Sequence, residues 1–208
     1  MSLRNACFIS YRHAGPATPI VRAFCDVLQE QLALLAPSLP IYRDNLLGPG
    51  DYVEADLARG MCGSACMVLL FTPEYFDVHH SYCAREYRAM VALEKRRQDA
   101  LPAELRKSLI IPVIMRGESR VPAELRPRLF KSFDRVLLQK SDLKKTGVVR
   151  SIYDVANAIY DRIDAMRSAD PLLAVDCSQF SFPSDAEIAD WLRAVAPPPL
   201  ASPNHALI

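Results

Sequence analysis

Apolar and polar positions fall in blocks along this chain, and the blocks change period. Ala6–Ser10 (ACFIS) is a short apolar run between polar residues and predicts a buried strand. From Ile20 to Leu35 the apolar residues at 21, 24, 28, 32 and 35 keep a helical period. Leu39–Tyr42 reads as strand again, and Asn45–Tyr52 (NLLGPGDY) as a loop punctuated by Gly48-Pro49-Gly50. Val53, Leu57 and Met61 mark a short helix, and Ala65–Phe71 (ACMVLLF) is the clearest buried strand. A helix is predicted from about Tyr82 to Arg97. Leu109–Met115 (LIIPVIM) is a fourth strand, placed near an edge or bulge because Pro112 cannot donate to a ladder. Val136–Gln139 reads as a fifth strand. Val149, Ile152, Val155, Ile159 and Ile163 make the last strong amphipathic helix.

Strands alternating with helices imply an α/β domain, a parallel sheet with helices on both faces. Val68, Leu69 and Leu70 are expected on its central strand, nearly fully buried. Sites in such sheets lie beyond the carboxyl ends of the strands. The loops to watch are therefore Tyr11–Pro19, Asp44–Tyr52, Thr72–Ser81 and Arg116–Lys131. The pattern dissolves after Met166. Residues 1–166 read as one domain, and 167–208 as a Pro-rich tail with one short helix. That helix opens with a capping box, Ser184 and Glu187. Trp191, Leu192 and Val195 share one side of it, so the tail is expected to dock on the domain or on a partner.

Composition narrows the class. Half of the 208 residues are hydrophobic and 24% are charged, which supports a sizeable core and excludes a disordered chain. A net charge of +1 leaves no global footprint for nucleic acid. Residues 116–150 are net +6 and residues 151–208 net −5, blocks able to pair within or between chains. Six cysteines are too few for a disulfide scaffold at this length, so a reduced, cytoplasmic chain is expected. Ala6–Ser10 is too short for a secretory signal, and no apolar run reaches bilayer length, so no membrane partner is expected.

Among chemical motifs, both phosphate-cradling glycine loops and the nucleophile elbow are absent. Cys62 and Cys66, with Cys83 and the His79-His80 pair, do not have the spacing of a zinc site, and no metal is expected. The informative residue is Glu86. It falls inside the apolar arc of its helix, with Tyr82, Cys83, Tyr87, Met90 and Leu93, while Arg85, Arg88, Lys95 and Arg96 lie away from it. A carboxylate on a packing face is costly unless paired or set in a cleft. Two readings follow: a salt bridge to a core arginine such as Arg12 or Arg43, or a carboxylate in a ligand pocket.

Several segments resemble the conserved boxes of Toll/interleukin-1 receptor (TIR) domains. Cys7-Phe8-Ile9-Ser10-Tyr11-Arg12-His13 is similar to their first box. Pro40-Ile41-Tyr42-Arg43-Asp44 with Leu47-Gly48-Pro49-Gly50-Asp51 resembles the second box and the BB loop. Met67–Phe71 followed by Thr72-Pro73-Glu74-Tyr75-Phe76 resembles the third strand and its exit. Ser81-Tyr82-Cys83-Ala84-Arg85-Glu86 resembles the S-x-W-C-x-x-E segment of bacterial and plant members, and Ile110–Ile114 the fourth strand. The match runs in order over roughly residues 5–165.

The resemblance implies a flavodoxin-like, doubly wound parallel sheet of four or five strands. It also implies an NAD+ glycohydrolase of the bacterial, defence-signalling type, which releases nicotinamide and ADP-ribose or a cyclised product. Glu86 then takes the catalytic position, and Tyr11, Arg12, Asp44 and Tyr82 bind substrate. Tyr82 stands where the family usually has tryptophan, which keeps a stacking face and reduces its area. NAD+ enters as substrate and no cofactor is implied. Homotypic self-association is implied through Leu47, Gly48, Pro49 and Gly50, with the trigger in a separate sensor protein or in the self-association itself. The alternative is a non-enzymatic assembly module acting through TIR–TIR contacts alone.

Overall fold

The computed structural model describes residues 3–13, 18–43, 53–136, 139–169 and 177–196. Asp44 and the loop residues Leu47, Gly48, Pro49 and Gly50 lie outside them. In chain order the elements are β1 (Asn5–Tyr11), α1 (Thr18–Leu35), β2 (Ile41–Tyr42), α2 (Val53–Cys62) and β3 (Ser64–Phe71). Then come α3 (Tyr82–Ala100), β4 (Ile110–Ile114), β5 (Lys131–Ser132), α4 (Thr146–Ser168) and α5 (Asp185–Val195).

The five strands form one parallel sheet in the order β2-β1-β3-β4-β5, the doubly wound, flavodoxin-like arrangement. β3 is central, and Val68, Leu69 and Leu70 are at most 1% exposed, as a strand covered on both faces requires. Helices α1 and α4 pack against each other on one face, and α2 and α3 lie on the other. The core is continuous from β1 through β4 to both helix layers.

Pro112 is accommodated by register. The Phe133 N–H donates to the Ile114 carbonyl at 2.8 Å, so Ile114 faces β5. Backbone groups alternate along a parallel strand, so Pro112, two residues earlier, turns its missing donor the same way, away from β3. β5 pairs only with Val113 and Ile114, which leaves Pro112 where that pairing has stopped.

Two expectations are corrected. The fifth strand among the described residues is Lys131–Ser132; of the expected Val136–Gln139, Val136 sits in an exposed turn, and residues 137 and 138 lie outside the described set. The apolar anchor that fixes this edge is Phe133, fully buried, with its ring edge-on to Phe24 at 5.4 Å. Two of the six cysteines are also not reduced: Cys62 and Cys177 form a disulfide, because the segment after α4 folds back over α2. Cys7, Cys25, Cys66 and Cys83 are buried and are not in disulfides. Burial pushes the Cys66 thiol up to about 12, so it behaves as a small hydrophobe.

Tyr42 shows how tightly β2 is held. Its ring stacks on Phe8 at 5.7 Å, and its hydroxyl donates to the Asp56 carbonyl at 3.1 Å. Gly60 of α2 lies under the same ring, and a Cβ there would sit 2.4 Å from it. Gly60→Ala is expected to displace Tyr42 and cost about 1–3 kcal/mol, read as a lower melting temperature. An unchanged melting temperature would mean that the ring moves freely.

The tail helix α5 begins with the capping box read from the sequence: the Glu187 N–H donates to Ser184 Oγ, and the Ser184 N–H to Glu187 Oε2 at 2.7 Å. Trp191 does dock. Its ring stacks on Tyr87 at 5.8 Å and meets Phe76 edge-on at 5.7 Å. Of the opposed charge blocks, Lys131 and Asp154 pair within the chain at 2.6 Å. Among the described residues no helix is long and apolar enough to cross a membrane.

Candidate active site

Helix α3 carries three acidic or basic side chains on its buried stripe: Glu86, Glu94 and Arg97. Their partners differ in kind. Arg97 donates to the Ser64 and Cys62 carbonyls at 2.7 and 2.6 Å, tying the C-terminal end of α2 to the start of β3. Burial pulls its pKa down to about 10, which still leaves it cationic near neutrality.

Glu94 is gripped by Arg128 through two parallel bonds of 2.8 and 2.7 Å, a bidentate pair. The Leu109 N–H adds a bond of 2.6 Å and the Ser108 hydroxyl one of 2.9 Å. Burial pushes this carboxyl up, but the Arg128 bonds and charge outweigh it and hold the pKa below the usual value.

Glu86 is buried at 8% exposure, and the hydrogen bond described for it comes from a neutral hydroxyl. Ser10 Oγ, near the end of β1, donates to Glu86 Oε2 at 2.5 Å. The Tyr75 hydroxyl lies 2.5 Å from the same Ser10 oxygen. A serine hydroxyl has one proton, and here it goes to the carboxylate, so Tyr75 is the donor to Ser10. Tyr75 is fully buried, and burial, helped by the nearby Cys83 and Glu86, pushes its phenol well above the usual value. It therefore stays protonated and stays a donor. The result is a directional chain, Tyr75 to Ser10 to Glu86, that fixes the carboxylate at the carboxyl-end edge of the sheet.

The other candidate residues sit around this point as follows. Tyr82 is the first residue of α3, one turn before Glu86, and is exposed, with the Arg85 guanidinium 5.5 Å from its ring centre. Arg12 follows β1 directly, with Nη2 4.0 Å from Asp77 Oδ2 and a buried Nε that has no acceptor. Tyr11 is buried at the end of β1, its ring 4.2 Å from that of His13. Strand alternation sends the Tyr11 side chain to the face opposite Ser10 and Glu86. Asp44 lies outside the described residues. Arg43, the other arginine considered as a partner for Glu86, pairs with Asp26 at 3.0 Å.

Sequence reasoning passed over Ser10 and Tyr75, although both stand in segments that it singled out. The available signal was a lone hydroxyl at the ligand end of an otherwise apolar strand, opposite a carboxylate on an apolar helix face. It also passed over Glu94, which lies two turns beyond Glu86 on the same stripe. Among the described residues no group of three or more His, Cys, Asp or Glu is placed to hold a metal ion.

No curated protein matches the chain closely. A protein-family model described as the TIR domain matches residues 7–147. That span covers more than half of the chain and runs from within β1 through β5 to the first turn of α4, which makes this protein a member of the TIR domain family.

Proposed function

We propose that this protein cleaves NAD+ at the bond between nicotinamide and ribose, with Glu86 as the catalytic carboxylate. One observation carries the reading. Glu86 is buried on α3 at the carboxyl-end edge of the sheet, where ligands bind in such folds, and Ser10, itself bonded to Tyr75, donates to its carboxylate.

Breaking a pyridinium–ribose bond builds positive charge on the anomeric carbon, as in an oxocarbenium-like transition state. A fixed carboxylate stabilises that charge or holds the ribose hydroxyls. Nicotinamide leaves neutral and needs no general acid, so one glutamate suffices, and NAD+ is a substrate with no further cofactor. Arg12 suits the pyrophosphate: its buried Nε would gain the acceptor it lacks, and its planar guanidinium forks onto two oxygens. The exposed Tyr82 ring offers a stacking face for nicotinamide. Tyr11 and Asp44 complete the substrate set, Tyr11 only from the opposite side of the sheet. In this reading NAD+ loss or the nucleotide product is the signal, in defence against phage.

The deciding measurement is nicotinamide release from NAD+ by purified protein, repeated at high protein concentration and with crowding agent so that self-association can complete the site. Release is expected there. None at any concentration would overturn the proposal and favour a non-enzymatic scaffold. Tyr75→Phe removes only the donor to Ser10 and is expected to lower kcat about tenfold, ~1.4 kcal/mol, with little change in KM. An unchanged kcat would mean that Ser10 alone positions the carboxylate. Pro49→His is expected to abolish self-association, measured by light scattering, with the melting temperature kept. Assembly at the parent level would remove residues 47–50 from the contact.

A further inference from the structure

The segment after α4 is held by an unusual mixture of bonds. Cys177 is joined to Cys62 at the end of α2, with the Cα atoms 5.7 Å apart. Phe180 and Phe182 are buried, and their rings meet edge-on at 6.5 Å. The Pro183 carbonyl accepts from Arg85 Nε, and Asp185 accepts from the Ser81 hydroxyl, both at 2.5 Å. Arg85 also reaches Glu54 of α2. Ile188 and Leu192 are buried under α5, and Arg88 lies 5.1 Å from the Trp191 ring centre. The Trp191 indole N–H is buried without an acceptor.

Few of these contacts hold the segment by themselves. An eleven-residue helix is too short to persist alone in water. The polar ties run to the exposed Asp185 carboxylate, which water replaces at little cost, and to the Pro183 carbonyl. The buried indole N–H would gain a partner on release. The disulfide adds a covalent tie to the apolar contacts of Phe180, Phe182, Ile188 and Leu192, and its loss frees the chain end that keeps them docked.

We propose that Cys62–Cys177 is a thiol–disulfide exchange site, taking a dithiol reductant, that latches residues 177–196 across α2 and α3. A thiolate of the dithiol attacks the Cys177 sulfur, on the less deeply buried of the two residues, and the S–S electron pair leaves on Cys62. The second thiol of the reagent then displaces Cys177 from the mixed disulfide. Two electrons and two protons pass from the dithiol to the protein, and the reagent leaves as a cyclic disulfide. Arg97, donating to the Cys62 carbonyl, puts a positive charge at the end of α2 where the departing thiolate forms. Release reaches the first turn of α3, because Ser81 and Arg85 lie on either side of Tyr82 and next to Glu86.

Trp191 is the only tryptophan in the sequence, so its fluorescence reports docking directly. The test uses the full chain without NAD+, so it succeeds or fails independently of the catalytic proposal. Thiol titration in denaturant is expected to rise from four to six on prior treatment with dithiothreitol. The same treatment is expected to shift Trp191 emission to the red and to increase its quenching by acrylamide. Cys177→Ser, with an unchanged far-ultraviolet circular dichroism spectrum, is expected to show the shifted emission already and no response to reductant. Six thiols in protein purified under air would overturn the disulfide. A rise from four to six with emission unmoved would overturn the latch, and the parent protein gives this answer even if the variant does not fold.

Discussion

Glu86→Ala is expected to abolish measurable nicotinamide release, a loss of about 10²–10³ in rate, or roughly 3–4 kcal/mol. Glu86→Gln should do nearly the same, because the amide keeps the shape and loses the charge. The carboxylate lies at 8% exposure, where its charge is poorly screened and acts strongly on a cationic transition state. The lost bond from Ser10, whose link to Tyr75 remains, should itself cost about 1 kcal/mol of stability. A structural salt bridge predicts the reverse. Removing Glu86 would then strand a buried arginine and cost about 3–5 kcal/mol. The two arginines named as partners are placed otherwise, Arg12 beside Asp77 and Arg43 beside Asp26. Thermal melts and nicotinamide assays on both variants separate the readings. A strongly destabilised Glu86→Ala, with Glu86→Gln cleaving NAD+ at the parent rate, would end the catalytic assignment.

The largest loss of stability is expected from Arg128→Ala. It leaves Glu94 buried at 7% exposure with its cation gone and only Ser108 and Leu109 as donors. Breaking such a pair costs about 3–5 kcal/mol when both partners are dry; Arg128 keeps some exposure, so about 2–4 is expected. The pH dependence has a definite sign. The Glu94 pKa is depressed in the native state, so its contribution is full above the unfolded carboxylate pKa and is lost as pH falls through the native value. Arg128→Ala should therefore melt lower than the parent at neutral pH, and the gap should narrow in acid. A gap that stays constant as pH falls would assign the loss to packing.

Much of the scaffold was legible because periodicity reports burial. The run at 65–71 has no polar position, as expected of a parallel strand covered on both faces. The fifth strand was not legible. Its two residues, Lys131 and Ser132, carry no strand pattern, and the ladder is fixed by Phe133 packing on Phe24 from the far end of the chain. The disulfide was hidden for the same reason, since Cys62 and Cys177 are 115 residues apart and nothing local to either announces the other. At the site, helical periodicity singled out Glu86. It did not reach Ser10 or Tyr75, because their role appears only when β1 and the exit of β3 are brought against α3.

The short β5 has a consequence for solubility. A strand edge left open is a template for another chain, and β5 pairs with β4 only at Val113 and Ile114. Ile110 and Pro112, before that pairing, turn their backbone groups away from β3. Pro112 has no N–H to offer. The Ile110 N–H donates to Ser108 Oγ at 3.2 Å, and the same hydroxyl lies 2.9 Å from the Ile110 carbonyl. This half of the edge therefore has no free N–H, and with Ile110 only 1% exposed it gives an incoming strand little to extend. A proline that weakens the strand as a strand thus protects the sheet from fibril-like growth, and the serine beside it completes the seal.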